Sequence, residues 1–259
     1  MTLIAQLTDI HLMAEPTQTL RGMNTQTSLT AVLTAIAALA PKPDLLLLTG
    51  DLANDGDISA YQRLQTAVSS LAIPAYVLPG NHDLPAVLAE HLPNQFIHYI
   101  SRLEINGWQI LCLDSTVPDQ IGGRLSADTL HWLKDTLTQP PHPPTLIAFH
   151  HPALPLGSKW LDEMSLENWQ EFWQVCAPFP QVKLVVNGHA HQEYDGLYQG
   201  VRCLVTPSTC MQFLPKSETF ALDPEGSPAF RLLELYPDGS CHTEVRYVSY
   251  QEIGTEIAL

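Results

Sequence analysis

Apolar residues along this chain come in short runs that end on small clusters of Asp, Asn and His. Residues 3–7 form one such run and stop at Thr8-Asp9-Ile10-His11, while residues 44–49 carry four consecutive leucines into Gly50-Asp51. Runs this short and apolar at every position predict strands covered on both faces. Between them, Leu29, Val32, Leu33, Ile36 and Leu39 recur at helical spacing, which predicts a helix over 28–40 stopped by Pro41 and Pro43. The outcome is a βαβ unit whose strands each deliver a carboxylate at their C-terminal ends.

The scheme repeats. A helical pattern over 58–71 and an extended run over 75–78 lead into Pro79-Gly80-Asn81-His82-Asp83. A strand over 108–114 and a helix over 126–138, opened by Ser126 as N-cap, precede a strand over 145–149 that runs into His150-His151-Pro152. A helix over 165–175 and a strand over 182–186 lead to Gly188-His189-Ala190-His191, and Trp160 falls in the loop before that helix. From Glu193 to Tyr247 the chain reads as β, with hairpin signals at Gln199-Gly200 and Asp238-Gly239 between runs 202–205 and 231–236. Polar clusters that follow successive strands meet at the carboxyl edge of an α/β sheet. Asp9 with His11, and His189 with His191, are two apart, which puts both side chains on one side of an extended segment.

A ligand set of Asp, Asn and His suits hard-to-borderline divalent cations, so the chain reads as a metalloenzyme. Its 259 residues, 45% of them hydrophobic, suffice for a sizeable core, and a single domain spanning 1–259 is expected. No stretch approaches the roughly 20 apolar residues of a membrane helix, and the N-terminus has no basic leader, so the expected location is the cytoplasm. Five cysteines, widely spaced and odd in number, indicate neither disulfides nor a zinc knuckle, and most of them are expected to be buried thiols. A formal charge of −15 argues against a nucleic acid polymer as partner. A small phosphate ester remains compatible, because two cations would make the site locally positive.

The ordered set Asp9-x-His11, Gly50-Asp51, Gly80-Asn81-His82-Asp83, His150-His151-Pro152 and Gly188-His189-x-His191 resembles the calcineurin-like metallophosphoesterases. Residues 20–25 (Leu-Arg-Gly-Met-Asn-Thr), 158–162 (Ser-Lys-Trp-Leu-Asp) and 206–213 (Thr-Pro-Ser-Thr-Cys-Met-Gln-Phe) further resemble the bacterial class III cyclic-AMP phosphodiesterases. The resemblance implies a four-layer α/β sandwich, two mixed β-sheets flanked by helices. It implies two metal ions, Mn, Fe, Zn or Co: one on Asp9, His11, His191 and a bridging Asp51, the other on Asp51, Asn81, His150 and His189. It implies hydrolysis of a cyclic nucleotide, foremost 3′,5′-cyclic AMP, by a hydroxide shared between the metals. His82 would protonate the leaving oxygen or bond the phosphoryl group, and Asp83 would orient its ring. Asn81, His82, His151, Asn24 and Thr209 are the candidate substrate contacts.

Each position also has a plainer reading. Asp83 could cap a helix starting near Leu84, His151 could position Pro152, and Asn24-Thr25 and Ser208-Thr209 could form turns. Trp160, Trp169 and Trp173 read as core or as a subunit contact in a homo-oligomer, with Trp160 alternatively stacking on a base. Rival functions are hydrolysis of glycerophosphodiesters or other small diesters, and a non-catalytic interaction scaffold of the same fold. A nuclease is disfavoured by the charge.

Overall fold

The computed structural model describes residues 1–250; residues 251–259 of the expected 1–259 domain lie outside the described residues. Two six-stranded mixed sheets stack face to face with helices on both outer surfaces, the four layers expected. In the first sheet, β1 (Thr2–Leu7), β2 (Leu45–Thr49), β3 (Ala75–Leu78) and the short β4 (Ile97–His98) run parallel. The helices α1 (Thr25–Ala37), α2 (Ile58–Ser69) and α3 (Pro85–His91) fall between them in sequence. The second sheet has β5 (Arg102–Ile105), β6 (Trp108–Cys112), β7 (Thr145–Ala148), β8 (Val182–Asn187), β9 (Tyr194–Tyr198) and β10 (Val201–Val205), in the order β5-β6-β7-β8-β10-β9. Its helices are α4 (Ala127–Thr138), α5 (Lys159–Asp162) and α6 (Trp169–Cys176). The chain then returns to the first sheet, where β11 (Ala229–Leu235) pairs antiparallel with β1 and β12 (Cys241–Tyr247) forms the edge.

The leucine run of β2 shows why these strands are apolar throughout. Leu46 and Leu48 face the helices α1–α3, while Leu45 and Leu47 face the other sheet. Side chains alternate across a strand, so a strand between two packed layers needs apolar residues on both faces. Polar residues enter the inter-sheet layer near the C-terminal strand ends. Gln6 donates to Thr49 Oγ1 (3.0 Å) and the Asn187 carbonyl (3.2 Å) and accepts from Thr206 Oγ1 (2.7 Å). Arg231, 1% exposed, donates to Thr206 Oγ1 and the Val205 carbonyl at 3.1 and 2.9 Å. Such a satisfied polar chain fixes the two sheets against each other in a way that apolar contacts do not.

Several elements depart from the periodicity, three of them for a visible reason. Helix α1 begins three residues before the expected 28, because the Asn24 side chain accepts from the Thr27 N–H and caps a polar first turn. The expected helix over 165–175 starts only at Trp169, since Leu166 bridges to Gly123 and Asn168 precedes the first turn. Trp160, expected in a loop, lies in the short helix α5, where the Asp162 carboxylate accepts from Leu156 and Gly157 N–H groups.

Candidate metal centre

All seven residues expected to hold metal converge between the carboxyl ends of the two sheets. The first sheet brings Asp9 and His11 after β1, Asp51 after β2 and Asn81 after β3. The second brings His150 after β7, with His189 and His191 after β8. Asp51 Oδ2 lies 3.5 Å from His11 Nε2 and 3.3 Å from His150 Nε2. His191 Nε2 lies 3.4 Å from Asp9 Oδ1 and 3.2 Å from His11 Nε2, and His189 Nδ1 meets Asn81 Oδ1 at 3.0 Å. Asp9-His11-His191 and Asp51-His150-His189 each gather one ligand atom per residue close enough to share an ion, and a third such group is His11-Asp51-His82.

The backbone reaches this arrangement differently from the extended segments expected. Asp9, His11, Asp51, His189 and His191 all sit at positive φ, between 47° and 67°. Asp and His are among the non-glycine residues that tolerate this left-handed region best, at a cost of about 1–3 kcal/mol each. Left-handed residues turn the backbone so that its N–H groups engage the neighbouring loops. Asp9 and His11 N–H groups donate to the Gly50 and Asp51 carbonyls (3.0 and 2.8 Å), and the His189 N–H donates to the Asp9 carboxylate (3.0 Å). The ligand loops are therefore held by one another, and the strain is borne by the surrounding hydrogen bonds.

The residues fit cations. His150 Nδ1 donates to the Thr49 carbonyl and His191 Nδ1 to the Met211 carbonyl, both at 2.8 Å, so each ring directs Nε2 at the cluster. Nε2 of His150 and of His189 is buried without a hydrogen-bond partner, although Asp51 lies near the former. Burial would raise the Asp51 carboxyl, but the charges of His150 and His11 overcome it and hold its pKa well below the usual range. Burial likewise opposes a charged His150, yet Asp51 and Asp9 lift its pKa to about 9. Burial prevails for His11, at about 3, and for His189, also lowered. The centre thus offers anionic oxygens and, at His11 and His189, neutral imidazoles, the donors a divalent ion takes, while His150 would give up its proton to a cation bound beside Asp51.

The remaining expected residues divide. His82 is exposed at the cavity mouth, its ring 4.7 Å from that of His11 and its N–H donating to Asp51 Oδ1 at 2.9 Å. Asp83 does not orient that ring: Asn54 does, through its carbonyl 2.8 Å from His82 Nδ1. Nor does Asp83 cap α3, whose N-cap is Leu84. Its buried carboxylate accepts from the N–H groups of Gly80 (2.9 Å), Leu52 (3.1 Å) and Ala53 (3.0 Å) and from Tyr61 Oη (2.9 Å), which ties the Asp51 and Asn81 loops together. Burial and the nearby Asp51 push its pKa up to about 6.

His151 is completely buried, with Ser115 Oγ 2.8 Å from Nδ1 and the Ile121 carbonyl 2.9 Å from Nε2, and it packs behind His189 at 4.6 Å. Asn24 caps α1, and Thr209, also buried, donates its N–H to the Thr8 carbonyl. These three stand outside the cavity lining, because their polar groups are taken up by local backbone and side-chain bonds. Asn54, Phe213 and Phe220 do line it. Asn54 follows Asp51 by three residues, a spacing that could have pointed to it; Phe213 closes the 206–213 segment that carries the resemblance, and Phe220 has no comparable sequence signal.

Residues 2–193, which contain every ligand and both sheet edges that form the site, match the family model for calcineurin-like phosphoesterases. The chain belongs to this family. Among curated relatives it is 44% identical over 247 residues to a 3′,5′-cyclic-nucleotide phosphodiesterase of Nostoc sp., covering 95% of this chain and 92% of the relative. It is also 44% identical over 243 residues to the 3′,5′-cyclic adenosine monophosphate phosphodiesterase CpdA of Escherichia coli, covering 93% and 88%. Among solved structures, a dimetal phosphatase from Danio rerio superposes with a TM-score of 0.67 at 14% identity, covering 91% of this chain and 93% of that one. TT1561 of Thermus thermophilus superposes at 0.58 with 15% identity, covering 94% and 98%. The structural likenesses establish the metallophosphoesterase fold. Among the described residues no helix is long and apolar enough to cross a membrane.

Proposed function

We propose that this calcineurin-like phosphoesterase hydrolyses the phosphodiester of a cyclic nucleotide, foremost 3′,5′-cyclic AMP to 5′-AMP, with two cations bound. The observation that carries the reading is the position of Asp51, whose Oδ2 lies within 3.5 Å of imidazoles from both sheets, His11 and His150, and so stands where two ions could share it. Full-length likeness to two proteins named as cyclic-nucleotide phosphodiesterases supports the substrate class.

In this reading Asp9, His11, His191 and Asp51 hold one ion, and Asp51, Asn81, His150 and His189 the other. When bound, the pair supplies an activated water and charge neutralisation at the phosphoryl oxygens. Asn81 contributes a neutral oxygen, which limits the negative charge opposite an anionic substrate. His82 stands at the cavity mouth with Nδ1–H donating to the Asn54 carbonyl; in its doubly protonated, cationic form it would give the Nε2 proton to the leaving 3′-oxygen as its bond to phosphorus breaks, and be left as the neutral ring. Asp83 and His151 act through the loops they hold. The ions themselves are Mn, Fe, Zn or Co, and cellular supply decides among them.

Product formation from 3′,5′-cyclic AMP by Mn²⁺-loaded protein, beside a chelated sample and a panel of glycerophosphodiesters, tests the proposal. Conversion to 5′-AMP that is lost on chelation is the expected result. Ion-dependent turnover of the other diesters alone would overturn the substrate and keep the chemistry.

A further inference from the structure

The cavity over the ligand cluster, about 270 Å³, has two chemically distinct walls. One consists of the ligands and His82. The other is apolar and aromatic, built around Trp160, Phe213 and Phe220. These three rings pack edge to face, each pair 5.3 Å apart between centroids. Phe213 in turn stacks on the ring of His191 at 4.1 Å and 8°, so the aromatic wall begins directly at a ligand. The Arg21 guanidinium lies 5.3 Å over the Phe220 ring. Phe220 remains 45% exposed. Trp160 Nε1 has no hydrogen-bond partner, so apolar packing, on these rings and on the Leu161, Ala190 and Val205 cluster, sets the indole's position.

None of this is needed to hold ions or break a phosphodiester, and Trp160, Phe213 and Phe220 come from segments that carry no ligand residue. A diester of glycerol offers a flexible polar chain to such a wall and gains little. A cyclic nucleotide fixed by its phosphate at the ions carries a flat π-system on a rigid bicyclic sugar phosphate, and stacking on aromatic side chains suits any nucleobase. An Arg packed on the outer ring adds a cation beside that π-system.

We infer that Trp160 and Phe220, backed by Phe213 and Arg21, form a nucleobase subsite, and that stacking there selects cyclic nucleotides over other small phosphodiesters. The inference rests on the cyclic-nucleotide reading of the same site. It places selectivity in the connections around α5 and between β10 and β11, where variation leaves the ion cluster untouched.

Two measurements on the ion-loaded protein test it. Calorimetric affinities for 5′-AMP and for ribose 5-phosphate isolate the base, and kcat/KM for 3′,5′-cyclic AMP and for the base-free ribose 3′,5′-cyclic phosphate isolates it in turnover. The native protein is expected to prefer the base-bearing member of each pair by about 10- to 100-fold. Trp160→Ala and Phe220→Ala should each erode that preference, chiefly through KM, while ribose 5-phosphate binding changes by no more than about twofold; Trp160→Phe should retain most of it. Variants that keep the full preference, or that lose base-free and base-bearing ligands equally, would overturn the subsite while cyclic AMP remains a substrate. A native protein that cleaves the base-free diester as well as cyclic AMP would likewise overturn the subsite, whereas ion-loaded protein that fails to turn over cyclic AMP at all would overturn the cyclic-nucleotide reading itself.

Discussion

Gly80→Ala places one methyl group against the carboxylate proposed to bridge the ions. An added Cβ at Gly80 would lie 2.8 Å from Asp51 Cγ and closer still to Asp51 Oδ1 and the Asp51 backbone nitrogen, whereas ordinary contact begins at 3.4 Å. Relief requires a movement of roughly 1 Å, and the crowded atoms include main chain rather than the tip of a mobile side chain. Asp51 Oδ1 also accepts from the His82 N–H at 2.9 Å, so the same movement disturbs the expected proton donor. A displacement of about 1 Å in a catalytic array costs about 100-fold, or about 2.7 kcal/mol at the transition state. The overpacking itself should take about 1–3 kcal/mol from stability. Ion content by elemental analysis, turnover of cyclic AMP and chemical denaturation separate these effects. Gly107→Ala is the control, because Gly107 has φ +85° with nothing within 4 Å of an added Cβ, so it tests backbone strain alone. Gly80→Ala protein with two bound ions and native turnover would show that the Asp51 position is not set by this close approach.

Removing the carboxylate altogether, Asp51→Ala, should abolish turnover and reduce bound metal below two ions per chain; retention of most activity would sink the assignment. His82→Ala should lower kcat by about 10²- to 10⁴-fold while ion content stays near native, and a comparable loss of metal would make His82 a ligand instead. In chelated protein, His150 has a folded pKa of about 9 against an ordinary 6.5, because Asp51 and Asp9 outweigh its burial. A value raised on folding stabilises the fold fully below about pH 6.5, and that contribution, about 3 kcal/mol for the pair, is lost as pH rises through 9. In denaturant titrations of chelated protein, the stability advantage of native over His150→Asn should shrink between those limits; an advantage that does not change with pH would refute the ion pair.

Much of this site was legible because its chemistry follows strand ends. Each ligand cluster comes directly after an apolar run, and a parallel arrangement of those runs gathers the clusters without further information. What periodicity could not convey was backbone hand: Asp9-x-His11 reads as extended, yet both residues are left-handed, since the loops bond to one another rather than continue the strands. The partner of His82 was obscured for a related reason. Asn54 acts through its carbonyl, a group every residue has, whereas Asp83 stood next in sequence but spends its oxygens on three backbone N–H groups and Tyr61. Of the aromatic wall, Trp160 was legible as a residue that could stack on a base, but its union with Phe213 and Phe220 was not, because the rings meet only across a fold that brings residues some 50 positions apart into one cavity.

Asp9, His11, Asp51 and Asn81 lie in the first third of the chain, His150, His189 and His191 beyond residue 149, and β11 completes the first sheet only near the end. During synthesis, therefore, neither set of ligands has its counterpart until both sheets exist and have docked, and the Gln6-Thr206-Arg231 chain that holds them together is made last. On the proposed assignment, cation uptake would report the final assembly step rather than an early one: nascent fragments should carry no two tightly bound cations, and the ions should act as a latch that closes after the layers have met.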